Sequence, residues 1–428
     1  MTNFKKILLI LFILSTSLIS FTFIISLAKV PIRQSYIDFV NNFINKDDQV
    51  LDHYSDTQKI IINNQLYSFQ LHKKSLQEFT NYNHYNASRL PAGYLEKFGE
   101  NFIFVSGDGK IVLFDKNLTL IKEIKSNLTK VMLEQKSPKG WYSLRDITRD
   151  SENKKIFYIS FYKRCDENKW KMSFLKTEVK NFDVDFIDFV DLDPFGNEQC
   201  ISNPNSTHSG GRIINFDKDN LLVTVGDWLM KLAQDDNSIY GKIIEVKKTG
   251  ENYKIFSKGH RNPQGLTMLN KELIFSSEHG HVGGDELNKI IKDNNYGWPI
   301  VSYSTLGQDP RLEPQLKTHN SDKTHDDLGF EEPLIALTPA IGPSEVMLYS
   351  GDYFSLWKNK IIMSSLKAQS LFIITLNESF NKINHIEKIH IASRIRDFIV
   401  TEEGMYLVLE GRYQNQKDTP NLGKITIE

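Results

Sequence analysis

Two cysteines in 428 residues, Cys165 and Cys200, are too few for a zinc ribbon or a disulfide-built scaffold. An excess of either charge is missing too: 52 Lys and Arg nearly cancel 53 Asp and Glu, leaving a net charge of −1. Nucleic-acid binding gets no support from that balance, so any anion site has to be a local cluster of basic side chains. Long apolar runs are absent except for one at the amino terminus, which excludes a bundle of several membrane-spanning helices. What is there is ordinary globular composition, 40% hydrophobic and 11% aromatic, unlike collagen or a disordered chain. The length suits two or three average domains, or one large domain built from repeats.

The terminal run sets the expected compartment. Lys5 and Lys6 precede an apolar stretch, Ile7–Ala28, long enough to cross a hydrocarbon core as a helix. Residues 1–29 are therefore expected to be a membrane anchor, or a signal segment cleaved near Ala28. Basic residues ahead of the run direct everything after Lys29 out of the cytoplasm, to the periplasmic side of an inner membrane. In that oxidising space Cys165 and Cys200 can join; two separate buried thiols are the alternative. Residues 30–89 are polar, with patches that suit one or two short helices, and read as a stalk or packing segment.

From residue 90 to 428 the texture changes to short β-rich runs parted by Gly, Asp and Asn. Phe102-Ile103-Phe104-Val105 leads through Gly107-Asp108-Gly109 into Ile111-Val112-Leu113-Phe114, a tight hairpin. Similar units recur at Ile147 to Tyr158, Ile213 to Val225, Leu266 to Phe275, Val346 to Met363 and Phe398 to Val408. Six packets with long insertions fit an all-β, six-bladed propeller better than a sandwich, and long amphipathic helices for an α/β fold are scarce. Loops at one end of a propeller's central channel are the natural ligand site.

Four loops are rich in functional groups. Thr207-His208-Ser209-Gly210-Gly211-Arg212 sets a histidine ahead of two glycines, where backbone can approach a ligand. Gly259-His260-Arg261-Asn262-Pro263-Gln264-Gly265 clusters donors suited to carbonyl or carboxylate groups. Glu278-His279-Gly280-His281 and Gly283-Gly284-Asp285-Glu286-Leu287-Asn288, followed by Asn295-Tyr296-Gly297-Trp298-Pro299, offer the hard oxygen ligands that calcium needs. Lys367, with Arg394 and Arg396 spaced i and i+2, could face one polyanion. Taken singly, each is also compatible with an ordinary surface loop, a hydrogen-bonded corner, a capped turn or a solvated strand.

Together these strings resemble the soluble glucose/sorbosone dehydrogenase family, six-bladed propeller quinoproteins that use pyrroloquinoline quinone (PQQ) and calcium. The likeness runs from about Leu90 to the end and is strongest from His208 to Tyr303. It implies that His208 is the general base and that Arg261, with Asn262, stabilises charge on the quinone oxygens. Lys367, Arg394 and Arg396 become a clamp for the cofactor's three carboxylates, which is why a neutral chain would gather cations on separate blades. The carbonyls of Gly280 and His281 would hold the catalytic calcium, and Glu286 and Tyr296 match positions used for a second, structural calcium. The implied reaction oxidises an aldose sugar at its anomeric carbon to the lactone, for an unidentified electron acceptor.

The chain departs from the family in three places. His281 stands where proline is usual, Trp141-Tyr142-Ser143-Leu144 replaces a run that carries a cofactor-contacting glutamine, and Thr207 replaces an acidic residue. These point to altered sugar specificity or reduced activity. The competing function is an exported propeller that binds a sugar or a protein without chemistry, since one fold serves both ends. A calcium-dependent hydrolase propeller is weaker, because the chain offers a polyanion clamp instead of central metal ligands.

Overall fold

The computed structural model describes residues 57–62, 65–80, 91–135, 144–202, 206–228, 232–281, 283–304, 323–410 and 419–427. Six sheets follow one another along the chain, antiparallel except where Phe186–Ile187 pairs in parallel with Leu120–Ser126 at the edge of the first, and each is built from runs of β-branched and aromatic residues. Their first strands are Gly93–Phe98, Leu144–Arg149, Gly210–Asn215, Pro263–Asn270, Pro343–Leu348 and Ile395–Thr401. Each first strand touches the first strands of the sheets before and after it, and the sixth touches the first. That ring is the central channel of a six-bladed propeller, and all six hairpin units fall one to a blade.

Blade six closes the ring with both parts of the chain. Asn421–Ile427 pairs on one side with Gly404–Leu409 and on the other with Gln65–Ser75, which pairs in turn with Thr57–Ile62. The segment expected to be a stalk thus supplies the blade's outer strands from Thr57 onward. Leu71 lies opposite Ile425, and Phe69 stacks on Trp357 at 5.3 Å. This pairing gives the last blade hydrogen-bond partners that the carboxyl-terminal strands alone leave unmet. Among the described residues no helix is long and apolar enough to cross a membrane; the Ile7–Ala28 run lies outside them.

Apolar packing is divided among the blade interfaces. Six buried clusters occur among the described residues, each joining two neighbouring blades, as where Phe98 meets Phe157 across blades one and two. The channel is held differently. Arg212 of blade three places Nη1 2.9 Å from Asp146 of blade two, 2.6 Å from Glu345 of blade five and 2.9 Å from Asp397 of blade six. Its Nε donates to the Gln264 carbonyl of blade four at 3.3 Å, and its guanidinium lies 5.4 Å from the Tyr94 ring of blade one. One side chain therefore reaches all six blades.

Three buried carboxylates around one guanidinium cannot all ionise cheaply. Burial, with Asp397 nearby, pushes the Asp146 carboxyl up to about 7 despite Arg212, and likewise raises Glu345 well above its usual range. The cysteines are bonded, with Cα atoms 6.3 Å apart, tying the blade-two turn at Cys165 to the loop at Cys200.

Two outcomes follow from this core. Arg212→Met should destabilise the fold by about 3–5 kcal/mol at pH 8, the cost of stranding buried carboxylates. The Asp146 and Glu345 carboxyls have folded pKa values above their unfolded values near 4, so stability is kept at low pH and lost as pH rises toward 8. Denaturant unfolding at pH 4.5, 6 and 8 should therefore show a deficit that grows with pH; a constant deficit refutes the hub. Replacing both cysteines by serine should cost about 3–4 kcal/mol by the loop-closure relation for a 35-residue separation, read from the same unfolding curves.

Candidate active site

Five inner strands open with a register shift, between Leu144 and Asp146, Gly210 and Ile213, Pro263 and Gly265, Pro343 and Val346, and Ile395 and Asp397. Such bulges bend a strand and re-aim its neighbours. The loops entering these strands carry His208, Arg261 and Arg394, so functional groups gather at the channel end where the inner strands begin.

His208 ends a short turn, Ser206–His208. Its Nε2 lies 3.0 Å from Arg261 Nη2 and its Nδ1 3.4 Å from Asp227 Oδ1. A guanidinium can only donate, so Nε2 is the acceptor and the ring proton sits on Nδ1, facing Asp227. The Trp298 indole donates to Asp227 Oδ2 at 2.6 Å and fixes that carboxylate. Burial and the Arg261 charge push the imidazole down to about 4 against the pull of Asp227. A neutral ring with a lone pair on a channel-end nitrogen is what a general base requires.

Arg261 gathers the remaining groups. Nη1 donates to the carbonyls of His279 at 2.9 Å and Gly280 at 2.7 Å, and Nη2 lies 3.1 Å from His281 Nδ1. Its guanidinium rests 5.2 Å from the centre of the Trp298 ring. Asn262 acts as a splint: Oδ1 accepts from the Gly210 N–H at 3.2 Å and Nδ2 donates to the Thr207 carbonyl at 3.1 Å. The next residue back, His260, is fully buried between Ser257 and Glu278 and stacks on Tyr296 at 4.5 Å, a purely structural staple.

Arg394 and Arg396 point the same way, as their spacing predicts, and both meet one carboxylate. Arg396 Nε and Nη2 lie 2.8 and 3.1 Å from Glu410, and Arg394 Nη2 lies 3.4 Å from it. Against the cost of burial, these two cations hold the Glu410 carboxyl below its usual range. Two buried guanidiniums thus converge on one carboxylate, a basic pair of the sign that an anionic ligand needs. Lys367 follows the second strand of blade five and is anchored through its backbone N–H to the Ile341 carbonyl. No contact among the described residues joins its side chain to Arg394 or Arg396.

Carbonyl and carboxylate oxygens collect beside Arg261. Gly280 O is engaged by Arg261 itself. Glu286, on Asp285–Lys289, is buried and its carboxyl is raised well above normal by burial and by Glu278 nearby. Asn288 donates to it at 3.1 Å, while its own Oδ1 is buried with no hydrogen-bond partner among the described residues. A cavity of about 10 Å³, the size of one water or ion, lies among Glu278, Glu286, Tyr296 and His325. The Glu278 and Glu286 carboxyls and that space are of the kind a hard cation uses, with the Arg261 guanidinium in the same lining as a competing positive charge. The Tyr296 hydroxyl is committed to the Lys289 carbonyl at 2.6 Å and the Ile291 N–H at 2.9 Å. No group of three or more His, Cys, Asp or Glu side chains set for a metal occurs among the described residues. Trp141 lies outside them.

Sequence reasoning missed Asp227, Glu410 and the role of Arg212. Asp227 had one faint signal, a lone acid two residues past the apolar strand Asn220–Val225. Glu410 had none, since its partners precede it by 14 and 16 positions.

A family model described as Glucose / Sorbosone dehydrogenase matches residues 98–417. The aldose sugar dehydrogenase YliI of Escherichia coli is 27% identical over 219 residues, 47% of this chain and 57% of that protein. Quinoprotein glucose dehydrogenase B of Acinetobacter calcoaceticus is 23% identical over 291 residues, 49% of this chain and 60% of that protein. An uncharacterised Synechocystis protein is 32% identical over 239 residues, 50% and 56% of the two chains. The chain thus spans between half and two thirds of the length of the curated relatives it matches. In fold it is similar to the PQQ-bound aldose sugar dehydrogenase of Streptomyces coelicolor, with TM-score 0.58, 19% identity, and 83% and 98% of the chains covered. The apo form of the soluble E. coli aldose sugar dehydrogenase superposes with TM-score 0.63 at 18% identity, over 84% and 100% of the chains.

The His208 environment makes a prediction independent of any activity. Its imidazole should stay neutral, with the proton on Nδ1, down to about pH 4 in nitrogen NMR. Because the folded pKa lies below the unfolded value of 6.5, acidification from pH 6.5 to 4 costs stability, up to about 3 kcal/mol. His208→Gln should remove that part of the acid sensitivity; an unchanged profile would show that the ring is not held in this way.

Proposed function

Since the chain belongs to the glucose/sorbosone dehydrogenase family, we propose that it oxidises an aldose sugar at the anomeric carbon to the lactone, using PQQ and calcium. One observation carries this reading: a neutral histidine with its Nε2 lone pair set against Arg261 shares a channel end with two buried arginines that converge on one carboxylate. A propeller that only binds a sugar or a protein has no need of that combination.

The residues divide the work. Arg394 and Arg396, with Lys367 on the neighbouring blade, bind cofactor carboxylates. Gly280 and His281 carbonyls would hold the catalytic calcium, and Glu286 a second, structural ion. When bound, the quinone supplies the two-electron acceptor and calcium the Lewis acid that polarises it. His208 Nε2 takes the proton of the anomeric hydroxyl as the carbon loses hydride and the carbon–oxygen double bond forms. For this the hydroxyl must replace Arg261 Nη2 at that lone pair. Asp227 keeps Nδ1–H oriented and stabilises the imidazolium that forms, while Arg261 faces developing negative charge.

Export belongs to the same proposal. Lys5 and Lys6 ahead of Ile7–Ala28, together with the Cys165–Cys200 bond, support an anchored protein on the oxidising side of an inner membrane.

Apo-protein should reduce a dye with aldoses only when PQQ and calcium are added together. His208→Ala should lower kcat by at least about a thousandfold and leave PQQ binding largely intact, since proton transfer is lost and the clamp is not. Arg394→Ala with Arg396→Ala should weaken PQQ binding itself by about a hundredfold, as expected for two buried charge-assisted contacts. No PQQ binding in the presence of calcium would reject the enzyme and leave the non-catalytic binding propeller.

A further inference from the structure

Gly226, Asp227 and Trp228 follow directly on the strand Asn220–Val225 of blade three, and their three consecutive N–H groups all go to the loops that carry His208 and Arg261. Gly226 donates to the Ser209 carbonyl at 3.0 Å, Asp227 to the Arg261 carbonyl at 2.8 Å and Trp228 to the His208 carbonyl at 3.0 Å. The Trp228 indole adds a longer bond to the Ser209 carbonyl, at 3.4 Å. These three residues clasp the backbone of the base and of its arginine neighbour at once. The Asp227 carboxylate, with Oδ1 3.4 Å from His208 Nδ1, rides on the middle rung. There is no slack in the approach: a Cβ at Gly226 would fall 2.1 Å from the His208 carbonyl oxygen, so the position excludes any side chain.

Trp228 holds a conformation that its size disfavours. Its φ is +48°, in the left-handed region that bulky side chains avoid and glycine favours. Such a residue persists only where packing over-determines it, and strain of this kind gathers at functional sites. Here the packing is aromatic. The side chain is buried, meeting Tyr162 of blade two edge-on at 4.6 Å and Tyr240 of blade three at 5.1 Å. The Tyr240 hydroxyl in turn donates to the Gln199 carbonyl, next to the Cys165–Cys200 bond. Blades two and three therefore hold the indole between them, and the indole holds the backbone that carries Asp227.

From the backbone clasp and the wedged indole we propose that Trp228 is a positioning residue for the general base. It acts through others: its packing keeps the Asp227 carboxylate and the His208 carbonyl in the register that sets the tautomer and the aim of the imidazole. This rests on the aldose dehydrogenase reading, in which His208 takes the substrate's proton, and adds the part that keeps that geometry fixed. Displacing a reacting group by about 1 Å can cost about a hundredfold in rate, so a side chain remote from the chemistry can govern kcat.

The test uses Trp228→Gly, which frees the left-handed φ and removes the ring, and Trp228→Phe, which keeps a ring between the two tyrosines. In the PQQ- and calcium-loaded protein Trp228→Gly should lower aldose kcat about a hundredfold, with KM and PQQ affinity held within about threefold. Trp228→Phe should return kcat to within about fivefold of the unmodified protein. Nitrogen NMR of the PQQ-free protein at pH 7 reads the same effect without turnover. The His208 proton should sit on Nδ1 alone in the unmodified protein and in Trp228→Phe, and on both nitrogens in Trp228→Gly. Should the glycine variant not fold, Trp228→Leu, which fills most of the space without a ring, carries the same expectation at about tenfold in kcat.

Unchanged kcat in a folded Trp228→Gly or Trp228→Leu protein overturns the proposal. Lower stability toward denaturant with kcat and tautomer both unchanged does so as well, and makes Trp228 a packing residue only. A raised KM or weakened PQQ binding with kcat kept would assign the side chain to binding, against the proposal. Bound PQQ with no turnover of any aldose by the unmodified protein sinks the dehydrogenase reading instead, and the tautomer comparison still decides whether Trp228 positions His208.

Discussion

Arg212 is the contact on which the rest of the channel depends. A propeller ring is held at its periphery by apolar packing between neighbouring blades, and each such interface knows only its two blades. Across the channel those forces do not act. There a single guanidinium answers carboxylates from blades two, five and six, a carbonyl from blade four and a ring from blade one. Burying that charge is acceptable only because its partners are buried with it. The partners also accept backbone N–H groups, Asp146 from Ile213 and Asp397 from Leu95, so the same network fixes where the inner strands start.

That register decides the site. With the strand starts held level, His208, Arg261, Arg394 and Arg396 come to one end of the channel, and each is tuned by a nearby group. His208 is kept neutral by burial and by Arg261, and its tautomer is set by Asp227, which Trp298 holds. Arg394 and Arg396 are kept from repelling each other by Glu410, which meets both. Arg261 fills the space among the Gly280 carbonyl, His281 and His208, so it is both a neighbour of the base and the occupant of oxygens that a cation would need. Charge balance is local throughout, which is why a chain with net charge −1 can present a basic channel end.

Much of this was legible in the order of residues. Alternating runs parted by Gly and Asp identify hairpins whatever their surroundings, because pleat and turn chemistry are local. The uncommon strings around His208, Arg261 and Gly283 to Trp298 identify the functional loops for a related reason: glycine, proline and clustered donors are local requirements of backbone shape and ligand chemistry. The even cysteine count allowed a bond but did not choose it over two thiols.

Tertiary structure alone decided the partners. Nothing in the order of residues says that Glu410 lies between Arg394 and Arg396, that Asp227 backs His208, or that Arg212 joins blades two, five and six, since each pairing depends on how the ring closes. Closure also took strands from the segment expected to be a stalk, because the outer edge of blade six needed hydrogen-bond partners from wherever the chain could supply them. Sequence determines which groups exist and what local shape they prefer. Which charge faces which, and so which proton sits where, is a long-range property that only the closed propeller sets.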